Sequence, residues 1–175
     1  MALPKNRQVR HFHTKIVGVT HKNADGSDRQ RIIKKCGLFE SLTLDHEENN
    51  PHDPNAVRVC RPNGQQLGYL SADLAPEIVS KSKKGYRFGV FIKDITGGKR
   101  RGQSLGVNLL VIEAEPGISD RQVTKYAKAL ARSDPEMEGI MVGGGCLAPL
   151  FKWLLVGFGL LLLALLLLGL ASGRR

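Results

Sequence analysis

The chain is poor in cysteine and aromatic residues: three cysteines, one tryptophan and 6% aromatics in 175 residues. Cys36, Cys60 and Cys146 are odd in number, far apart and never in a Cys-x-x-Cys pair, which argues against a disulfide framework and fits a reducing compartment. The opening stretch MALPKNRQVRHFHTK lacks the apolar core of a secretory signal, so the body is expected to stay where it is made. No Gly-x-x-x-x-Gly-Lys-Ser/Thr loop occurs, which excludes the phosphate cradle of a P-loop ATPase. No nucleophile and base pair is visible, and no enzymatic activity is expected. Acid is also scarce, with 16 Asp and Glu against 26 Lys and Arg and a net charge of +10. An excess of that size points to a polyanionic partner, nucleic acid or an anionic membrane face. Residues 1–114 hold 19 basic against 11 acidic residues, so most of the positive field belongs to that part.

What is abundant is leucine, and it lies at one end. Trp153 to Ser172, WLLVGFGLLLLALLLLGLAS, is a run of 20 residues without a charge, bounded by Lys152 and by Arg174 and Arg175. That is the length of a bilayer-spanning helix. Its eleven leucines favour insertion by about −6 kcal/mol at roughly −0.5 kcal/mol each. Residues 151–172 are therefore expected to form a transmembrane helix acting as a tail anchor, with the body on the cytoplasmic side and the lipid bilayer as a partner. Residues 115–150 read as a tether containing one short helix. Ser119 and Gln122 form a capping box ahead of Val123, Tyr126, Ala127 and Leu130 at helical spacing. The tether ends in a glycine-rich stretch.

The body, residues 10–114, is mostly short strands. HFHTKIVGVT and LFESLTLD alternate, AVRVCRP and QQLGYL flank the turn PNG, and YRFGVFIKDIT and SLGVNLLVIEA flank GGKRRGQ. Two helices interrupt them: one capped by Ser27 with Gln30, the other opened by Ser71 and closed by Gly85. Pro76 predicts a kink or a late start in the second. The fold class is mainly β with some α, a small, partly open six-stranded β-barrel with two short helices. The corner NNPHDPNAVRV, Asn49–Val59, is stiffer and more polar than a turn requires.

VGVTHKNADGSDRQ, LTLDHEENNPHDPNAVRV and GQQLGYLSADLA, in that order, followed by FIKDITGGK and GVNLLVI, resemble the HIRAN domain in its stand-alone bacterial form. The resemblance covers about residues 11–114 and rests most on Asn-Pro-x-Asp-x-Asn-Ala followed by Gly-Tyr-Leu. It implies an OB-like six-stranded barrel that binds single-stranded DNA, especially a free 3′ end. It also implies that Asp53 accepts a hydrogen bond from the terminal 3′-hydroxyl. The chemistry is coherent, because a carboxylate repels phosphate but accepts from a hydroxyl. The alternative for Asp53 is an Asx-turn that holds the corner, and backbone satisfaction is the simpler role for Asn50. Where DNA-binding members of the family stack bases between two tyrosines, this chain has His21 and His52, and their arginine is Thr20 here. Histidine stacks with less area, and stacking is worth roughly 1–3 kcal/mol per base. Tyr69 is the remaining nearby aromatic.

Phosphate contacts are expected from Lys22, Arg29, Arg31, Lys99, Arg100 and Arg101. Lys99–Arg101, in a loop with exposed amides, could instead meet anionic lipid. Two rival readings stand beside this one. In the first, His11, His13, His21, His46 and His52 with Cys36 and Cys60 bind zinc in a hydrolase-associated domain, but the spacing provides no second ligand pair and no cofactor is expected. In the second, the chain is a protein-interaction module that kept the fold and lost the DNA.

Overall fold

The computed structural model describes residues 8–133. In chain order the elements are β1 (Val9–Lys15), α1 (Arg29–Ile33), β2 (Ser41–His46), β3 (Val57–Cys60), β4 (Gln66–Tyr69), α2 (Ala75–Lys83), β5 (Arg87–Gly97), β6 (Leu105–Ala114) and α3 (Asp120–Ser133). The strands form one antiparallel sheet in the order β1-β6-β5-β2-β3-β4. The sheet curls into a half-barrel, where a small, partly open six-stranded barrel is expected. β1 stays paired to β6 as far as Lys15 and Asn108. Just beyond it, Val17 and Tyr69 exchange both backbone hydrogen bonds, at 2.9 and 3.0 Å, bringing the two ends of the sheet together at an isolated bridge.

The bridge needs a glycine. A Cβ on Gly68 would lie 2.4 Å from the Val17 carbonyl oxygen, a distance no side chain tolerates. The concave face is filled by aliphatic side chains, with Ile33, Val59, Leu67, Ile92 and Leu109 fully buried, and α1 and α2 contribute Ile32, Ile78 and Val79. The second helix starts late, at Ala75, with Pro76 in its first turn, where the missing N–H costs nothing. The first helix is capped by Asp28, whose carboxylate accepts from Arg31 N at 3.2 Å, and not by the expected Ser27. The Ser27 hydroxyl and amide are both taken by Asp25, at 2.6 and 2.9 Å.

A second apolar cluster lies on the other face of β1, β5 and β6. Phe91, Leu110 and Ile112 are covered there by Val123, Ala127 and Leu130 of α3. The Ser119–Gln122 capping box forms as expected, with Ser119 N donating to Gln122 Oε1 at 2.9 Å. The helix is thus seated on the sheet rather than suspended from it. Among the described residues no helix is long and apolar enough to cross a membrane. The expected transmembrane segment 151–172 and the rest of the tether, 134–150, lie outside the described residues.

Candidate nucleic-acid interface

The corner between β2 and β3 is held by its own side chains. Asn50 Oδ1 accepts from the amides of His52 (2.9 Å) and Asp53 (3.1 Å), and its Nδ2 donates to Glu47 Oε2 at 2.8 Å. Asp53 Oδ1 accepts from Asn55 N at 2.8 Å, an Asx-turn of the kind the spacing allows. His46 Nε2 donates to the Pro54 carbonyl at 2.8 Å and braces the corner from β2. The second carboxylate oxygen of Asp53 accepts no hydrogen bond among the described residues.

Beside the corner runs an open groove of about 580 Å³, lined among others by His46, Glu47, Asn50, Pro51, Arg58 and Tyr69. Strand register produces this meeting. Asp45 faces Arg58 across β2 and β3, Arg58 faces Tyr69 across β3 and β4, and Tyr69 is bridged to Val17. Arg58 is hydrogen-bonded to Asp45 and lies 3.3 Å from Glu47, while its Nε is buried without a partner. The Asp45 contact holds the guanidinium above its already high ordinary pKa, so Arg58 is a permanent cation.

Tyr69 also meets the turn after β1. Gly18 adopts φ +69°, and a Cβ there would meet Arg29 Nη1 at 3.2 Å, His21 Cδ2 at 3.7 Å and the Tyr69 ring at 4.0 Å. His21, Arg29 and Tyr69 therefore converge on one glycine. Arg29 is 5% exposed; its guanidinium carbon stands 5.2 Å from the Tyr69 ring centroid and Nη1 donates to Gly18 O at 2.9 Å. The phosphate role expected for Arg29 does not survive this burial. The residue fixes Tyr69 and the turn instead.

The remaining expected residues are placed as follows. His52 is exposed on the corner, next in the chain to groove-lining Pro51. Lys22 is exposed and its backbone bridges Asp28. Lys99, Arg100 and Arg101 are exposed at the tip of the β5–β6 hairpin. Gln30 links the base of that hairpin to the turn after β1, donating to Val19 O (2.9 Å) and Leu105 O (3.0 Å) and accepting from Leu105 N (2.7 Å). Asn50, Tyr69 and His21 are thus brought to one region, flanked by Asp53, whereas the three-cation loop belongs to a separate hairpin. Sequence reasoning missed Arg58, although its polar position between buried Val57 and Val59 marks it as pointing out of the core.

Among the described residues no three His, Cys, Asp or Glu side chains gather round a metal-sized space. His11 and His13 do share a face of β1, with ring centroids 6.3 Å apart, and His11 Nδ1 lies 3.2 Å from the Tyr126 hydroxyl. Burial raises the thiol pKa values of Cys36 and Cys60, which makes both poor nucleophiles at neutral pH.

The curled sheet carries an open polar groove beside a stiff corner. The family model of the HIRAN domain matches residues 9–105, just over half of the 175. The chain belongs to the HIRAN domain family, and membership supports a nucleic-acid-binding module that is not itself catalytic. A 36-residue stretch is 50% identical to helicase-like transcription factor of Oryctolagus cuniculus, covering 21% of this chain and 4% of that protein's length. In fold, the chain is similar to the crystal structure of the HIRAN domain of human HLTF (TM-score 0.46, 17% identity, 70% of this chain and 87% of that one). It is similar also to a protein from Lactobacillus plantarum (TM-score 0.45, 17% identity, 60% and 98%).

Proposed function

We propose that this chain is a membrane-tethered HIRAN module that binds nucleic acid and recognises the 3′ end of single-stranded DNA. In this reading residues 151–172 cross the bilayer once and hold the body at its cytoplasmic face. The observation that carries the end recognition is the Asp53 carboxylate. One oxygen builds the turn, and the other is left to accept from a terminal hydroxyl. Glu47 and Glu48 line the neighbouring groove, and such an acidic lining disfavours a continuing phosphate chain. A hydroxyl terminus is the part of a strand that suits it. Tyr69, held from below by Arg29, offers a ring on which a terminal base stacks, and His21 lies beside it. Lys22 and Lys99–Arg101 supply phosphate contacts further along the strand.

The test is equilibrium binding of the 175-residue chain to fluorescent single strands that end in a 3′-hydroxyl or a 3′-phosphate. The hydroxyl end is expected to bind about tenfold more tightly, the worth of one hydrogen bond to a charged acceptor. The interaction weakens as salt rises. Equal affinity for both ends would leave only a nonspecific basic surface. One observation favours the second reading, a protein-interaction module: the Arg58 guanidinium is already engaged by Asp45 and Glu47 and is not available to phosphate. Absence of oligonucleotide binding at low salt decides for that reading.

A further inference from the structure

The helix α3 has a face that neither the fold nor the groove uses. Arg121, Lys125, Lys128 and Arg132 follow one another at spacings of four, three and four. At 100° per residue they fall within an arc of about 60°. The opposite face, with Val123, Ala127 and Leu130, is buried against the sheet. All four basic residues are exposed, and none makes an ion pair among the described residues; Asp120, the one acid of the helix, is 2.9 Å from Arg87. This stripe sits on the β1-β6-β5 half of the sheet, whereas the groove belongs to β2, β3 and β4, so one short strand of nucleic acid has no reason to touch both.

Chain length indicates what the stripe meets. Residues 134–152 separate the helix from the apolar run that begins at Trp153. Nineteen residues reach at most roughly 65 Å even when fully extended. If that run enters a bilayer, α3 is the described element bound nearest to it along the chain. We infer that the Arg121–Arg132 stripe is a docking face for anionic lipid headgroups, which lays α3 along the membrane and fixes how the body stands on it. This rests on the membrane reading proposed above. A uniformly basic face on a helix that is already folded binds such a surface with no ordering of its own, and each cation near an anionic leaflet multiplies the affinity by about five.

The experiment places the 175-residue chain with vesicles of phosphatidylcholine, or of phosphatidylcholine with one third phosphatidylglycerol, and acetylates its lysines with a water-soluble reagent. Mass spectrometry then reads Lys125 and Lys128 against Lys99. The two stripe lysines are expected to react about fivefold more slowly on the anionic vesicles. That protection should vanish in 0.5 M salt, and Lys99 should be unchanged. Replacing both Arg121 and Arg132 by Gln, exposed positions with no ion pair among the described residues, should weaken the protection. Equal reactivity on the two vesicle types overturns the docking face. So does protection of Lys125 and Lys128 by a single-stranded oligonucleotide in the absence of vesicles, which would assign the stripe to nucleic acid. Flotation with the neutral vesicles separately reads insertion of the apolar run. A chain that fails to float there refutes the tether, while its lysine protection on anionic vesicles at millimolar lipid still decides on the stripe.

Discussion

Asn50 carries the corner on three hydrogen bonds, two accepted from backbone amides and one donated to Glu47. Asn50→Ala leaves those amides to water or to nothing, and is expected to cost about 1–3 kcal/mol in urea unfolding and to weaken oligonucleotide binding by misplacing Asp53. A second residue of this kind, far from the groove, is Glu113. It is 5% exposed and is held by Arg10 at 2.7 Å and by Lys81 at 3.0 Å on each oxygen. Glu113→Ala removes the acceptor, but Arg10 is largely exposed and regains water, so the expected loss is about 2 kcal/mol rather than that of a fully buried pair. Thermal unfolding of the variant checks it. The internal bonding of the corner was legible in the sequence, because Asn and Asp two or three residues from their targets form Asx-turns by local geometry alone. The meeting of His21, Arg29 and Tyr69 was not. It depends on the Val17–Tyr69 bridge between the two ends of a curled sheet, and no local pattern encodes a contact across 52 residues.

At the scale of elements, the seating of α3 turns on a glycine in β5. A Cβ at Gly89 would stand 2.5 Å from Val123 Cγ1. Gly89→Ala should therefore push the helix outward, at a cost of about 1–3 kcal/mol, and raise amide exchange across residues 120–133 more than in β2 or β3. Unchanged exchange in α3 would mean that it is not anchored at this point. The helix itself was legible from its capping box and apolar spacing. What it covers was less so, although a signal is present: Leu109, Leu110, Val111 and Ile112 are apolar without alternation, as expected for a strand covered on both faces. Strand count and pattern pointed to a partly open barrel but not to where it opens, which depends here on how far β1 runs before leaving β6.

Over the whole molecule, charge is distributed by role. The groove mixes Glu47, Glu48 and Arg58, while cations without an ion pair among the described residues stand on the β5–β6 hairpin tip and along α3. Changing Lys99, Arg100 and Arg101 together to Gln should weaken oligonucleotide binding equally for every 3′ end and flatten the salt dependence by about two units of slope, at roughly 0.7 per phosphate contact. A change in end preference would contradict their placement as positioning contacts. Stability should also respond to acid through Glu77, whose carboxyl is held below the ordinary range first by its hydrogen bond to Lys81 and then by the charges of Lys81 and Arg10. Because that pKa is depressed on folding, its contribution is complete above the unfolded value of about 4.3 and is lost as pH falls through the folded one. The contribution is modest, since the side chain is 51% exposed and solvent-screened. Glu77→Gln should flatten the pH dependence of unfolding below pH 4.5, and an unaltered profile would assign the acid sensitivity elsewhere.

The most direct measurement is a double-mutant cycle between the protein and the strand end, pairing Asp53 and Asp53→Asn with oligonucleotides ending in a 3′-hydroxyl or a 3′-deoxy sugar. The amide keeps an oxygen for the Asn55 turn and replaces the second carboxylate oxygen with a donor. If Asp53 accepts the terminal hydroxyl, the wild-type preference for the hydroxyl end, about tenfold, falls to near unity in the variant, a coupling of about 1.5 kcal/mol. If wild type and variant show the same preference, or neither distinguishes the two ends, Asp53 does not read the end of the strand.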